Sequence, residues 1–278
     1  GMGKNWKWLA RIFAFLGVCV GLFGIGTFSQ INGITSAVNN FFDANNTHMV
    51  QILGHSYSWS VVISGLLITL CVALVLIGGL QRISSVAQVV VPFMAVLYVV
   101  SALLILIFNV TAIPDAIVTI VKSAFGLRAA AGGAIGALIV AMQKGIARGI
   151  FSNEAGMGST PHAHATAEVK DPCDQGIIAM MGVFIDTFII LTLTALVILS
   201  TGVLGNGQTG SELAQSAFNV GFGNFGNIFI ALCMLFFAFT TIVGWYYFGE
   251  VNVRHLFGNG AVKVYAVIVV ICVIIGST

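Results

Sequence analysis

Long intervals of this chain contain no Lys, Arg, Asp or Glu, among them 12–42, 44–81, 83–114, 187–211, 213–249 and 264–278. A helix needs about 20 apolar residues to cross the hydrocarbon core of a bilayer, and every interval but the last exceeds that length. Intervals 44–81 and 187–211 also hold polar loop residues, so each accommodates one span with its flank. Only 7% of the chain is charged and 58% is hydrophobic, against roughly 25% charged residues in an average soluble protein. Eleven Lys and Arg with nine Asp and Glu cannot build a soluble surface for 278 residues. The chain reads as an all-α, polytopic protein whose solvent is the lipid bilayer.

Seven membrane segments are predicted, at about 8–38, 59–80, 86–109, 132–165, 176–201, 224–249 and 262–278, the fourth irregular. Polar loops separate them: FDANNTHMVQ, QRISS, EVKDPCDQ, TGVLGNGQTGSELAQ and GEVNVRHLFGNG. The stretch TAIPDAIVTIVKSAFGLR at 111–128 predicts a short interfacial helix, because Pro114 and Asp115 mark a helix start. With the start of the chain in the cytoplasm, the inner side holds Lys4, Lys7, Arg11, Arg82, Lys170, Arg254 and Lys263. The outer side holds only Lys122 and Arg128, with Lys144 and Arg148 left out of the count inside the irregular fourth segment, the asymmetry expected of that orientation. NNT at 45–47 matches a glycosylation sequon on the outer side, a weak three-residue signal. Gly1 in place of Met, and a hydrophobic run reaching Thr278, read as an internal piece of a longer chain. The five Cys are scattered without a CxxC or Cys/His cluster, so neither zinc nor a disulfide framework is indicated. A net charge of +2 says little about partners, and nothing marks a nucleic acid, an organic cofactor or an obligate protein partner.

The passage GIARGIFSNEAGMGSTPHAHATAE, 145–168, is polar and glycine-rich amid these apolar runs. Gly156 and Gly158 are poor helix formers, and Thr160-Pro161 reads as an N-cap with a first-turn proline. A new helix over 161–169 would be roughly 13 Å long at 1.5 Å per residue, about half a bilayer. The break at 152–160 then falls near the midplane, where irregular backbone is tolerated only inside protein or beside a cavity. Interrupted helices of transporters turn such ends toward substrate carboxylates, and unwound carbonyls toward cations. Ser152 and Asn153 add donors and acceptors. An ordinary loop after a complete span at 132–151 is the competing reading, and length alone does not exclude it.

Other polar residues lie where lipid is expected. Gly24, Gly26, Thr27, Gln30 and Asn32 punctuate GLFGIGTFSQINGI, with 26, 30 and 33 on one helical face. Gln30 faces either a cavity or a partner helix along a stripe of small residues. Thr240 and Thr241 either bond back to carbonyls one turn earlier or serve as hard oxygen ligands for a small cation. Trp245 shares a face with Thr241, though Trp245, Tyr246 and Tyr247 also suit an interfacial aromatic belt. Asp186, in GVFIDTFII, is an intramembrane acid, read as a proton carrier, a pairing partner or a structural acid. Arg148 has Glu154 or an outer gate as possible partners, and the role of Lys144 is open. His162 and His164 are two apart and point different ways on a helix. Ser152 lacks a base at a recognisable spacing, and no HExxH, GxSxG or Walker loop is present. An intramembrane enzyme is therefore disfavoured.

GIARGIFSNEAGMGSTPHAHATA with DQG at 174–176 resembles the central motif of the sodium:alanine (alanine or glycine:cation) symporter family. FGIGTFSQ at 23–30 and FAFTTIVGWYYFGE at 237–250 resemble two further blocks in the same order. The resemblance implies the inverted-repeat fold of the bacterial leucine transporter type, as a single partial transporter domain over 1–278. In that fold the first segment matches the third core helix, the fourth the broken sixth, and the Thr240-Thr241 helix the eighth. It implies sodium-coupled, electrogenic uptake of alanine or glycine across the cell membrane by alternating access. Phe151, Ser152, Asn153 and Gly156 are then expected around the substrate's backbone groups, its carboxylate near the second half-helix. Gln30 contributes from a neighbouring helix, Trp245 narrows the side-chain pocket, and Thr240 and Thr241 hold sodium. A GTGN-type stretch of the family, upstream of these blocks, has no match here, so the piece alone is expected not to transport. A proton-coupled or uncoupled carrier, with Asp186 titrating, is the alternative.

Overall fold

The computed structural model describes residues 4–23, 26–43, 47–52, 54–124, 134–154 and 156–277. Gly24, Asn45 and Arg128, each named above, lie outside them. The helices are α1 (Lys7–Phe23), α2 (Phe28–Phe42), α3 (Trp59–Ile77), α4 (Gly79–Phe108), α5 (Ile113–Ala124) and α6 (Ala134–Asn153). They continue with α7 (Thr160–His164), α8 (Pro172–Phe184), α9 (Thr192–Ser200), α10 (Gly210–Phe222), α11 (Asn224–Phe257) and α12 (Gly260–Gly276). A π-helical turn, Ile185–Leu191, joins α8 to α9. Between α2 and α3, strands β1 (Met49–Ile52) and β2 (His55–Ser58) form an antiparallel hairpin with Met49 opposite Ser58.

Five helical stretches among the described residues are long and apolar enough to cross a membrane: Lys7–Phe42, Trp59–Ile77, Gly79–Phe108, Pro172–Ser200 and Phe225–Phe257. The chain is thus a mostly helical, multi-pass membrane protein. Its contacts divide it into two units, Gly1–Val96 with Asn227–Thr278, and Leu97–Gly226.

In the first unit α2, α3 and α12 pack on one another. Ile31 and Ile34 of α2 meet Ile68 and Val72 of α3, Ile242 of α11, and Val269 and Val273 of α12 in one buried cluster. Small residues permit the close approach: a Cβ on Gly65 would lie 2.5 Å from Ser277 Oγ, and one on Gly276 2.8 Å from Ile31 Cγ2. Lipid is as apolar as leucine, so close packing of this kind, rather than hydrophobicity, holds such helices together. In the second unit α5 packs on α6 and α9, α6 on the π turn, and α9 on α10.

Several element boundaries differ from the sequence reading, each for a local reason. The first segment is two helices, because Thr27 leaves helical geometry at φ −124°, ψ −66° and caps α2. Its hydroxyl donates to Gly21 O at 2.7 Å, satisfying a carbonyl in the last turn of α1. QRISS is not a loop: the chain turns at Gly78 and Gly79, and α4 starts there. FDANNTHMVQ is partly strand, since Met49–Ile52 pairs with His55–Ser58. SELAQ belongs to α10. GEVNVRHLF continues α11, with Glu250 and Arg254 paired one turn apart. The helix start predicted from Pro114 and Asp115 is found: α5 begins at Ile113, with Asp115 in its first turn.

Candidate functional site

The passage 145–168 breaks as its composition demands. α6 ends at Asn153, and Glu154, Gly156 and Gly158 then take φ of +53°, +79° and +79°. Left-handed backbone costs a residue with a Cβ roughly 1–2 kcal/mol and glycine almost nothing. Glycine therefore sits at two of these positions. At the third, Glu154 is tied down: Ser159 Oγ donates to its Oε2 at 2.7 Å, and its carbonyl accepts from the Met157 amide at 3.2 Å. Arg148 does not take that carboxylate.

The second half-helix is shorter than the expected 161–169. α7 is five residues long, with Ser159 rather than Thr160 at its N-cap and Pro161 in its first turn. Five residues span about 7–8 Å, well under half a bilayer. Ser159 makes no side-chain cap bond to the helix, and its hydroxyl donates to Glu154. The His rings diverge as their spacing requires: His162 Nδ1 donates to Ser159 O at 3.0 Å, and His164 Nδ1 accepts from Gln175 Nε2 at 2.6 Å.

On the other side of the break, the predicted residues stand together at the end of α6. Phe151 and Ser152 are exposed and Asn153 is half-buried, with Gly156 just beyond in the turn. Their partners come from the π turn. Ser152 Oγ donates to Asp186 Oδ2 at 2.6 Å. Asn153 Nδ2 donates to Thr187 Oγ1 at 2.9 Å and to Gly149 O at 3.0 Å, and Thr187 Oγ1 donates back to Asn153 Oδ1 at 3.0 Å. Asp186 is thus hydrogen-bonded across to the end of α6. Thr187 was missed. The signal was present, since a second polar residue follows the acid in an otherwise apolar span, but only the acid was read. A cavity of about 560 Å³ lies elsewhere on this unit, beside α7 and α8, lined by Thr160, His164 and Gln175 among others.

The remaining predicted residues belong to the first unit. Gly26 lies against Trp245: a Cβ at residue 26 would stand 2.5 Å from Trp245 Cβ and 2.7 Å from Cγ. The expected common face of 26, 30 and 33 is corrected, because α2 starts only at Phe28 and Gly26 precedes its cap. Gln30 and Gly33 do share a face of α2, and the Gly33 position meets Met234 of α11 at 3.4 Å. Gln30 is half-buried. Thr240 Oγ1 donates to Phe236 O at 2.9 Å and Phe237 O at 3.0 Å, and Thr241 Oγ1 donates to Phe237 O at 2.8 Å. Both hydroxyls bond back along α11, and each keeps lone pairs that could face a cation. Trp245 is 7% exposed, which rules out an interfacial belt position for that ring.

Apolar spans interrupted by polar, glycine-bearing passages are the pattern of a multi-pass membrane protein that builds a polar site within its helices. The chain belongs to the sodium:alanine symporter family, whose model matches residues 1–278. It is 42% identical over 278 residues to an uncharacterized transporter of Haemophilus influenzae, covering 99% of this chain and 58% of that protein. It is 39% identical over 276 residues to the amino-acid carrier protein AlsT of Bacillus subtilis, covering 99% and 55%. To the sodium/proton-dependent alanine carrier protein of Bacillus sp. (strain PS3) it is 37% identical over 210 residues, covering 70% and 46%. The chain spans about half the length of the curated relatives it matches.

Proposed function

We propose that this chain serves sodium-coupled symport of alanine or glycine across the cytoplasmic membrane, by alternating access in an inverted-repeat transporter fold. The observation that carries the reading is the break after Asn153, with Ser152 and Asn153 held at the end of an interrupted helix. Membership of the family supports it. In this reading α1 with α2, α3, α4, α6 with α7, α8 with α9, α11 and α12 make seven crossings of a single transporter domain. The residue-1 side is cytoplasmic, as the Lys and Arg asymmetry favours.

Phe151, Ser152, Asn153 and Gly156 take the backbone groups of the amino acid. Gln30 adds a polar contact, Trp245 limits the side chain to a hydrogen or methyl, and Thr240 and Thr241 are ligands for sodium. The substrate carboxylate is not assigned to the start of α7, whose five residues and Glu154-bound cap make a poor anion site. The C-terminal end of α6 carries partial negative charge and suits the substrate ammonium group. The test is uptake of radiolabelled alanine into proteoliposomes by protein of the relatives' full length, with and without a sodium gradient, beside Asn153→Ala. Sodium-driven uptake that Asn153→Ala abolishes is expected; sodium-independent uptake would refute the coupling.

A second reading, proton coupling, is favoured by Asp186, a half-buried acid in mid-span bonded to Ser152. It predicts uptake driven by a pH gradient alone and lost in Asp186→Asn.

A further inference from the structure

Two neighbouring residues of one element, Asp186 and Thr187, contact two neighbouring residues of another, Ser152 and Asn153. Regular α-helices do not favour such a double contact, because consecutive side chains on each diverge by about 100°, one residue of a 3.6-residue turn. The structure resolves the conflict at Ile185–Leu191, where the helix widens to a π turn. More residues per turn bring successive side chains closer in direction, and such single widened turns are frequent at functional sites. α6, for its part, is at its last two residues, where the chain leaves the helix at Glu154.

The chemistry of the four groups is complementary. The Asn153 amide and the Thr187 hydroxyl each donate to the other, and the Gly149 carbonyl, which can only accept, sets which end of the amide is the donor there. The Asp186 carboxylate accepts the Ser152 proton, so the Ser152 oxygen keeps its lone pairs for another donor. Neither pair belongs to a helix's own ladder, and both lie on the element that ends at the break.

We propose that Asp186 and Thr187 are positioning residues, a polar latch that presents Ser152 and Asn153 to the substrate. This rests on the reading of Ser152 and Asn153 as substrate-binding groups. Asp186 acts here as a hydrogen-bond acceptor and Thr187 as a donor and acceptor at once. The π turn is the device that lets adjacent residues do both.

Two measurements on full-length protein test it. The first is thermal melting of Asn153→Ala, Thr187→Val and the double variant in detergent. Because the two side chains share one contact, the double variant melts no lower than the less stable single; additive losses would overturn the latch. The second is uptake kinetics. Thr187→Val raises KM for alanine roughly tenfold, the scale of one lost hydrogen bond, with Vmax within about twofold, and Thr187→Ser recovers the loss. Asp186→Ala raises KM, and Asp186→Asn, which keeps an acceptor for Ser152, recovers most of it. A fall in Vmax at unchanged KM, or an Asp186→Asn variant as impaired as Asp186→Ala, would overturn the positioning role. If the wild type takes up no alanine, the symport reading fails, and the melting cycle still decides the latch.

Discussion

Gly26 packs against the Trp245 side chain with no room for a Cβ, which would lie 2.5 Å from Trp245 Cβ and 2.7 Å from its Cγ. The residue before the cap of α2 thus approaches α11 as closely as only glycine allows. Gly26→Ala is expected to destabilise by about 1–3 kcal/mol, the range for overpacking, seen as a lowered melting temperature. Gly244, one residue before Trp245, has nothing within 4 Å of its would-be Cβ. Gly244→Ala, in the interior of α11, is expected to leave stability unchanged or raise it by up to about 1 kcal/mol. Equal losses in the two variants would contradict the contact.

The break after α6 separates space from conformation. Gly156 has φ +79° and nothing within 4 Å of its would-be Cβ, so any penalty there is torsional alone. Gly156→Ala should cost about 1–2 kcal/mol, and Gly156→Asn less, since Asn visits the left-handed region more readily. Melting of both variants checks the order. If Ala and Asn are equally tolerated, the left-handed turn is not required.

Much of this arrangement could be read from the residues. Charge-free runs marked the five helical stretches long and apolar enough to cross a membrane, and Gly156, Gly158 and Pro161 marked the break, because backbone conformation at those residue types is local. What could not be read depends on partners distant in sequence. Thr187 gains its role only when the π turn brings it to Asn153, 34 positions away. The length of α7 was overestimated because no residue between Thr166 and Val169 forbids helix. The hairpin escaped notice because FDANNTHMVQ is organised by one carboxylate, Asp43, whose bonds close only in the folded chain.

That carboxylate makes a pH prediction. Asp43 Oδ2 accepts from Ser58 Oγ at 2.8 Å and the His48 amide at 3.2 Å, and Oδ1 accepts from the Thr47 amide at 2.7 Å and hydroxyl at 2.8 Å. The Ser58 bond first, then the Thr47 amide, hold its carboxyl well below the ordinary 3.8. A group whose folded value is depressed stabilises fully above its unfolded value and loses that stabilisation as pH falls through the folded one. Amide protection factors in Met49–Ile52 and His55–Ser58, measured relative to intrinsic exchange at each pH, should therefore be high near neutral pH and fall progressively below about pH 4, the unfolded carboxylate value. In Asp43→Asn the hairpin should exchange faster at neutral pH and lose this pH dependence. Protection unchanged by the substitution would show that Asp43 does not anchor the hairpin.

Tyr265 offers the reverse case, a substitution that should improve the fold. The ring of Tyr265 on α12 is 3% exposed and stacks on Tyr246 with centroids 5.5 Å apart. Its hydroxyl points at two glycines, Gly21 and Gly249, and has no hydrogen-bond partner among the described residues. A buried hydroxyl without a partner forfeits about 1–3 kcal/mol relative to its hydrated state, whereas the ring's packing survives its removal. Tyr265→Phe is therefore expected to raise the melting temperature of the full-length protein. Tyr265→Ala should lower it, by the several kcal/mol that deleting a buried aromatic costs, roughly 3–5. A Phe variant that melts lower than the wild type would mean the hydroxyl has an acceptor in the membrane-embedded protein, and the close approach of Gly21 and Gly249 would then frame a polar contact rather than a packing one.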